Sequence, residues 1–216
     1  MFIHSRGQMN TAFQPPADSH AATTSRAGEI LCACKEAFIA KGFDGASMQD
    51  LARAAGMSAG NFYRYFPSKN AIIRALVDHE MADAMSAFAE IRAAAVKRDA
   101  FLEQIRKRLA DNFADCNGNL WSDIEAAASR QPEIREALAQ MQETIVSCLL
   151  GVFADIAGVD DVTARTEFAA HAQFIMILFR GSVVSANGTP DPKLVALILD
   201  TATRLIDEIS AYNGQN

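Results

Sequence analysis

Proline and histidine are scarce in this chain of 216 residues, and tryptophan occurs once, at Trp121. Of six prolines, Pro15 and Pro16 stand together near the N-terminus. With few helix breakers elsewhere and alanine abundant, the bulk of the chain is expected to be helical. The four histidines do not stand at metal-ligand spacings, so no metal site is expected. There is no glycine-rich phosphate loop and no His-Glu-x-x-His stretch. Asp123-x-Glu125 does not put both carboxylates on one helical face. No catalytic residue and no cofactor are assigned, and an enzyme is not expected. Uncharged apolar runs such as Phe174–Phe179 are too short for a membrane span. The N-terminus carries no apolar stretch of the signal-peptide kind. A cytoplasmic protein without a membrane partner is the expectation.

Half of the chain is apolar, enough for a substantial core and two modest domains. The four cysteines, Cys32, Cys34, Cys116 and Cys148, are expected to be buried thiols. The net charge of −6 is unevenly spread. Residues 1–79 carry 8 Lys/Arg against 6 Asp/Glu, while residues 80–216 carry 12 against 20. The N-terminal part can meet phosphate and the remainder repels it. A nucleic-acid surface, if present, is therefore local.

Residues 1–24 show no sustained periodicity and read as a flexible tail. From Arg26, Ile30, Cys34, Ala37 and Phe38 fall on one helical face, which ends at Gly42. Ser47 caps a short second helix, with Asp50 completing a capping box. That helix ends near Ala55-Gly56, where glycine suits the turn. Ser58 caps a third helix, stopped by Pro67-Ser68. Longer helices follow, from about Ile72 to Val96, Ala100 to Cys116, Leu120 to Arg130, Pro132 to Ala157, Thr163 to Ala186 and Lys193 to Tyr212. The sum is an all-α chain of about nine helices.

Two short helices hold a fixed angle only around a small core, for which Leu51, Ala52, Ala55, Met57 and Phe62 have the spacing. The opposite face of the third helix carries Ala59, Gly60, Asn61, Tyr63 and Arg64. Arg64 matches guanine and Asn61 adenine in the major groove. Ala59 and Gly60 allow close approach. Ser58 begins the helix where free backbone N–H groups can meet phosphate. Tyr65, Lys69 and Ser47 suit backbone contacts.

The string SMQDLARAAGMSAGNFYRYFPSKNAII, within Arg26–His79, resembles the TetR family of one-component bacterial transcription regulators. The ending Tyr65-Phe66-Pro67-Ser68-Lys69 is its most informative part. The resemblance implies a three-helix DNA-binding domain with a helix-turn-helix, residues 25–70, and a larger helical regulatory and dimerisation domain, residues 71–216. It implies a homodimer on a palindromic double-stranded DNA operator, acting as a repressor that a small-molecule effector releases. An activator or a ligand-independent regulator of the same fold is the alternative. Arg64 departs from the histidine many members carry there.

The C-terminal region offers two further sets of candidates. Apolar faces of the last two long helices, Phe168, Ala172, Ile175, Phe179 and Val183 with Leu194, Ile198, Thr201, Leu205 and Ile209, are the expected dimer interface. Effector contacts are expected from Phe88, Phe113, Asn117, Trp121, Asp123, Ile124, Glu125, Met141, Ile145, His171 and Phe174, an aromatic wall with a few polar groups.

Overall fold

The computed structural model describes residues 20–114, 118–184 and 191–213. Ten helices lie among them: α1 (His20–Lys41), α2 (Met48–Ala54), α3 (Ala59–Tyr65), α4 (Lys69–Ala93), α5 (Lys97–Ala114), α6 (Gly118–Ala128), α7 (Pro132–Ala157), α8 (Asp161–Glu167), α9 (Ala169–Val184) and α10 (Pro192–Ser210). Residues 1–19, Cys116, Asn117 and the 187–190 turn lie outside the described residues, as do the side chains of Phe113 and Val183.

The all-α expectation holds, with one more helix than expected. The segment read as one helix from Thr163 bends at Phe168, whose φ of −113° and ψ of 8° separate α8 from α9. The Phe168 N–H still reaches the Ala164 carbonyl at 2.9 Å, and its own carbonyl accepts from Ala172 at 3.0 Å. No glycine or proline marks the bend. Packing sets it, because the buried Phe168 ring lies edge-on to Phe153 and Tyr212. The first helix also starts earlier than expected, at His20 instead of Arg26.

Two hydrophobic clusters fill the interior. The first joins α1, α2, α3 and the start of α4 to α6 and the start of α7; Phe38, Leu51, Phe62, Ile72, Ile73 and Ile124 are its deepest members. The second lies among α5, α7, α9, α10 and the end of α4, around Phe101, Leu109, Val152, Phe153, Ile206 and Ile209. Truncating Phe62 or Phe153 to alanine removes a fully buried ring, a loss of about 3–5 kcal/mol. α4 contributes Ile72, Ile73, Leu76 and Val77 to the first cluster and Ile91 to the second. α7 does likewise, with Ile134 in one and Phe153 in the other.

α7 also corrects the expectation about apolar runs. It is long and apolar enough to cross a membrane by length and composition alone. Its apolar residues instead supply both cores, as befits a central helix packed on several sides. The cysteines divide. Cys34 is fully buried, and burial pushes its thiol up to about 12, which leaves it unreactive. Cys148 is half-buried and shifted upward for the same reason. Cys32 is exposed, against expectation, because it stands two residues from Cys34 and so points off the buried face.

The capping box of α2 is present as read. Ser47 Oγ accepts from the Asp50 N–H at 3.2 Å, and Asp50 Oδ2 accepts from the Ser47 N–H at 3.1 Å. Lys41, at the end of α1, reaches Asp50 at 2.7 Å. Lys41 and the Ser47 hydroxyl, with the Ser47 N–H, hold the Asp50 carboxyl well below the usual carboxylate range. A depressed carboxyl pKa contributes stability above the unfolded value of about 3.9, and that contribution is lost as pH falls through the native value. Asp50→Asn is therefore expected to melt lower than the wild type near neutral pH, with the gap closing on acidification. Melting curves at stepped pH check this; a constant gap would exclude the linkage.

Candidate nucleic-acid interface and ligand cavity

The α2–turn–α3 unit is held from beneath by Leu51, Ala52 and Phe62, all buried. Gly56 makes the turn with φ of 64°, a left-handed conformation that costs glycine little. The Met57 N–H then closes the turn onto the Ala52 carbonyl at 2.9 Å. Ser58 caps α3 and accepts from the Asn61 N–H at 3.4 Å. Phe62 and Phe66 point inward, their rings 5.6 Å apart.

The other face of α3 is open. Ala59, Gly60, Asn61, Tyr63, Arg64 and Tyr65 are all exposed. Among the described residues, the side chains of Asn61 and Arg64 make no hydrogen bond or ion pair within the protein. A Cβ placed on Gly60 would meet nothing within 4 Å. Glycine inside a helix costs up to about 1 kcal/mol relative to alanine, and no neighbour in the fold requires it here. The residue is one that packing within the chain does not explain.

The string Gly56-Met57-Ser58-Ala59-Gly60 also spells the glycine–serine pattern of a nucleophile elbow. That motif needs a strand running into a helix. Here a helix precedes the turn, and Ser58 Oγ serves as a cap.

A cavity of about 230 Å³ opens among α4, α5, α6, α7 and α9. Of the expected effector contacts, Phe88, Trp121, Glu125, Met141 and Ile145 line it. Sequence reading missed Arg108 and Arg180, the glutamines 104 and 142, and the Ala84 and Ala87 pair on α4. The spacing Leu138, Met141, Gln142, Ile145, Leu149 along α7 was a usable signal, since it traces one helical stripe. The small side chains at 84 and 87 leave the room that larger ones would fill.

Residues 30–76 match the family described as "Bacterial regulatory proteins, tetR family". Over those residues the chain is similar to the TetR family. A Bacillus subtilis regulator, YvdT, is 42% identical over 57 residues, 26% of this chain and 29% of that protein. The chain thus spans under a third of this relative. The Rhodococcus jostii transcriptional repressor KstR2 is 25% identical over 166 residues, 74% of this chain and 78% of that one. In structure, Salmonella enterica GusR superposes with a TM-score of 0.63 at 23% identity, covering 85% of this chain and 96% of GusR. The fold is therefore that of TetR-family proteins, and the helix-turn-helix segment is the part that matches the family in sequence.

Within this TetR-family fold several assignments change. Asp123 does not face the cavity. Its carboxylate accepts from the Phe43 N–H at 2.9 Å, tying α6 to the loop after α1. Ile124 is fully buried in the first core. His171 packs edge-on to Phe168 and lies 3.8 Å from Glu208, and Phe174 is exposed on the outside of α9. The cause is helical phase: on α6, Trp121 and Glu125 are four apart and share the cavity face, which turns Asp123 and Ile124 toward the DNA-binding head.

The expected dimer faces change for the same reason. Phe168, Ala172, Ile175 and Ile209 are buried within the chain's own second core, and Phe179 lines the cavity. Ile198 and Leu205 are half-buried against that core, Thr201 is half-buried, and Leu194 is exposed. The outward apolar residues of these two helices are Phe174, Ile177, Leu194 and Leu197.

Lys69 is engaged inside the protein. Its ammonium donates to the Phe43 carbonyl at 2.8 Å and the Asp44 carbonyl at 3.3 Å, and it sits 4.8 Å from the Phe43 ring centre. Ser47 likewise gives its hydroxyl proton to Asp50 at 2.6 Å. Lys69→Met is expected to cost about 1–2 kcal/mol of stability through lost charged hydrogen bonds and ring contact. A thermal melt without DNA should register a drop of several degrees. An unchanged Tm would leave Lys69 free for phosphate alone.

Proposed function

We propose that this protein is a ligand-responsive, sequence-specific repressor that binds a palindromic operator as a homodimer and leaves it when a small-molecule effector occupies the cavity. The observation that carries the DNA-reading part is the open face of α3. It joins a glycine that no neighbour in the fold requires to two side chains, Asn61 and Arg64, that are left unspent. Close approach plus base-matching donors and acceptors is what major-groove reading needs. Ser58, Ala59, Tyr63 and Tyr65 complete the surface, with Ser47 and Lys69 acting chiefly by shaping it.

Dimerisation is proposed through the outward residues of α9 and α10, Phe174, Ile177, Leu194 and Leu197. Outward apolar side chains on two neighbouring helices are what such an interface would bury, and a twofold pair on DNA would need its two α3 helices about 34 Å apart. Effector control is proposed to run through α4 and α6. α4 takes part in both cores. α6 lends Trp121 and Glu125 to the cavity and Asp123 to the head. A ligand that prefers one position of these helices shifts the spacing of the heads, with coupling of about 1–3 kcal/mol.

Selection from a randomised duplex pool should recover a twofold-symmetric site. On that site Arg64→Ala is expected to lose roughly ten- to hundredfold affinity, about 1–3 kcal/mol, with little change on random duplex. Gly60→Ala should weaken operator binding while raising helix stability. Fluorescence anisotropy on both duplexes is the measurement, and equal losses on the two would contradict base reading. Ile177→Arg combined with Leu197→Arg should give monomers in light scattering; a dimer that survives both changes would move the interface elsewhere.

A further inference from the structure

We infer that the effector is an uncharged, mainly apolar compact compound bearing one hydroxyl or carbonyl group. This rests on the proposal that the cavity is the effector site, and it names the ligand's chemistry.

The charged groups on the cavity wall are already paired across helices. Arg180 of α9 bonds Glu125 of α6, and also donates to Gln142 Oε1 of α7 at 3.0 Å. Glu80 of α4 stands 3.7 Å from Arg108 of α5 and 3.4 Å from Lys35 of α1. Each wall carboxylate thus has a cation, and each wall guanidinium has a carboxylate. An anionic ligand seeking Arg180 or Arg108 must compete with Glu125 or Glu80 and leave that carboxylate without its partner. A cationic ligand strands an arginine in the same way. These side chains are a third to a half exposed in the empty cavity, but a ligand that fills the cavity shuts out the water that would otherwise replace a lost partner, and a charge left alone there is costly. A neutral ligand disturbs neither pair.

The remaining wall is apolar, with Phe88, Ile91, Ile105, Met141 and Ile145 among its members. Buried polar atoms without a partner among the described residues are confined to Gln131 and His171, and neither lines the cavity. Two neutral polar functions on the wall are unspent among the described residues. Gln142 uses its carbonyl on Arg180, which leaves its amide N–H groups. Gln104 uses its amide on Glu90 at 3.1 Å, which leaves its carbonyl. A ligand hydroxyl can meet either group, and a ligand carbonyl can meet Gln142. Size also narrows the class. A cavity of 150 Å³ is known to hold benzene, so about 230 Å³ takes a somewhat larger compact molecule.

Three probes of one shape and different charge test this: adamantylmethanol, adamantanecarboxylate and adamantylmethylammonium. None absorbs where tryptophan does. Trp121, the chain's single tryptophan, lines the cavity, so its emission reports occupancy, and titration calorimetry gives affinity independently. The alcohol is expected to bind at least tenfold more tightly than either ion. Ala87→Phe, which places a ring in the cavity, should weaken the alcohol at least tenfold. A charged probe binding as well as the alcohol overturns the inference. So does the absence of both heat and emission change with the alcohol. So does alcohol binding that Ala87→Phe leaves untouched. Operator binding is measured on the same preparation without probe. A sequence preference on DNA together with a failed probe ranking overturns the neutral-ligand inference alone, whereas no preference on any duplex overturns the proposed function.

Discussion

One short stretch of backbone, Phe43-Asp44, holds the head and body of the molecule in register. Its N–H at Phe43 goes to Asp123 of α6, and its two carbonyls go to Lys69 at the start of α4. The Phe43 ring lies under the Lys69 ammonium and 5.7 Å from Phe38 of α1. Three helices distant in sequence therefore meet on three backbone groups and one ring. Unsatisfied polar backbone is expensive once water is excluded, so this junction constrains how α1, α4 and α6 can move relative to one another. The orientation of α3 follows, because α3 is packed on the core that these helices share.

The N-terminal half was open to reading from sequence because its signals are local. A capping box, a glycine turn and a second cap each act over three or four residues, and all three are present where the sequence put them. The α3 face followed from helical period alone. The body was less open. Its helix lengths came through, but the bend at Phe168 is set by ring packing that no nearby residue announces. Helical phase was the other obstacle. Phe168, Ala172 and Ile175 form a true apolar stripe, and sequence cannot say whether such a stripe meets the same chain or a second copy.

Lys69 and Asp123 illustrate a related point. A lysine at a helix start and a carboxylate beside a tryptophan both suggest external partners, a phosphate in one case and an effector in the other. Both are instead turned to the same loop of the protein itself. The misreading has a physical origin: a charged group close in sequence to a functional surface is free to satisfy backbone groups brought near by folding, and those groups leave no trace in composition.

α4 runs unbroken from the head to the cavity wall, with Ile72 and Ile73 in the first core and Ala84, Ala87 and Phe88 at the cavity. Genetic lesions along this rod should therefore resist simple classification. In the effector-released repressor proposed above, a change at its start that loosens the head and a change near its end that mimics occupancy would produce the same constitutive phenotype, while a stiffening change between them would produce the opposite, an uninducible one. Alleles mapped to this single helix would fall into contrary classes only a few turns apart.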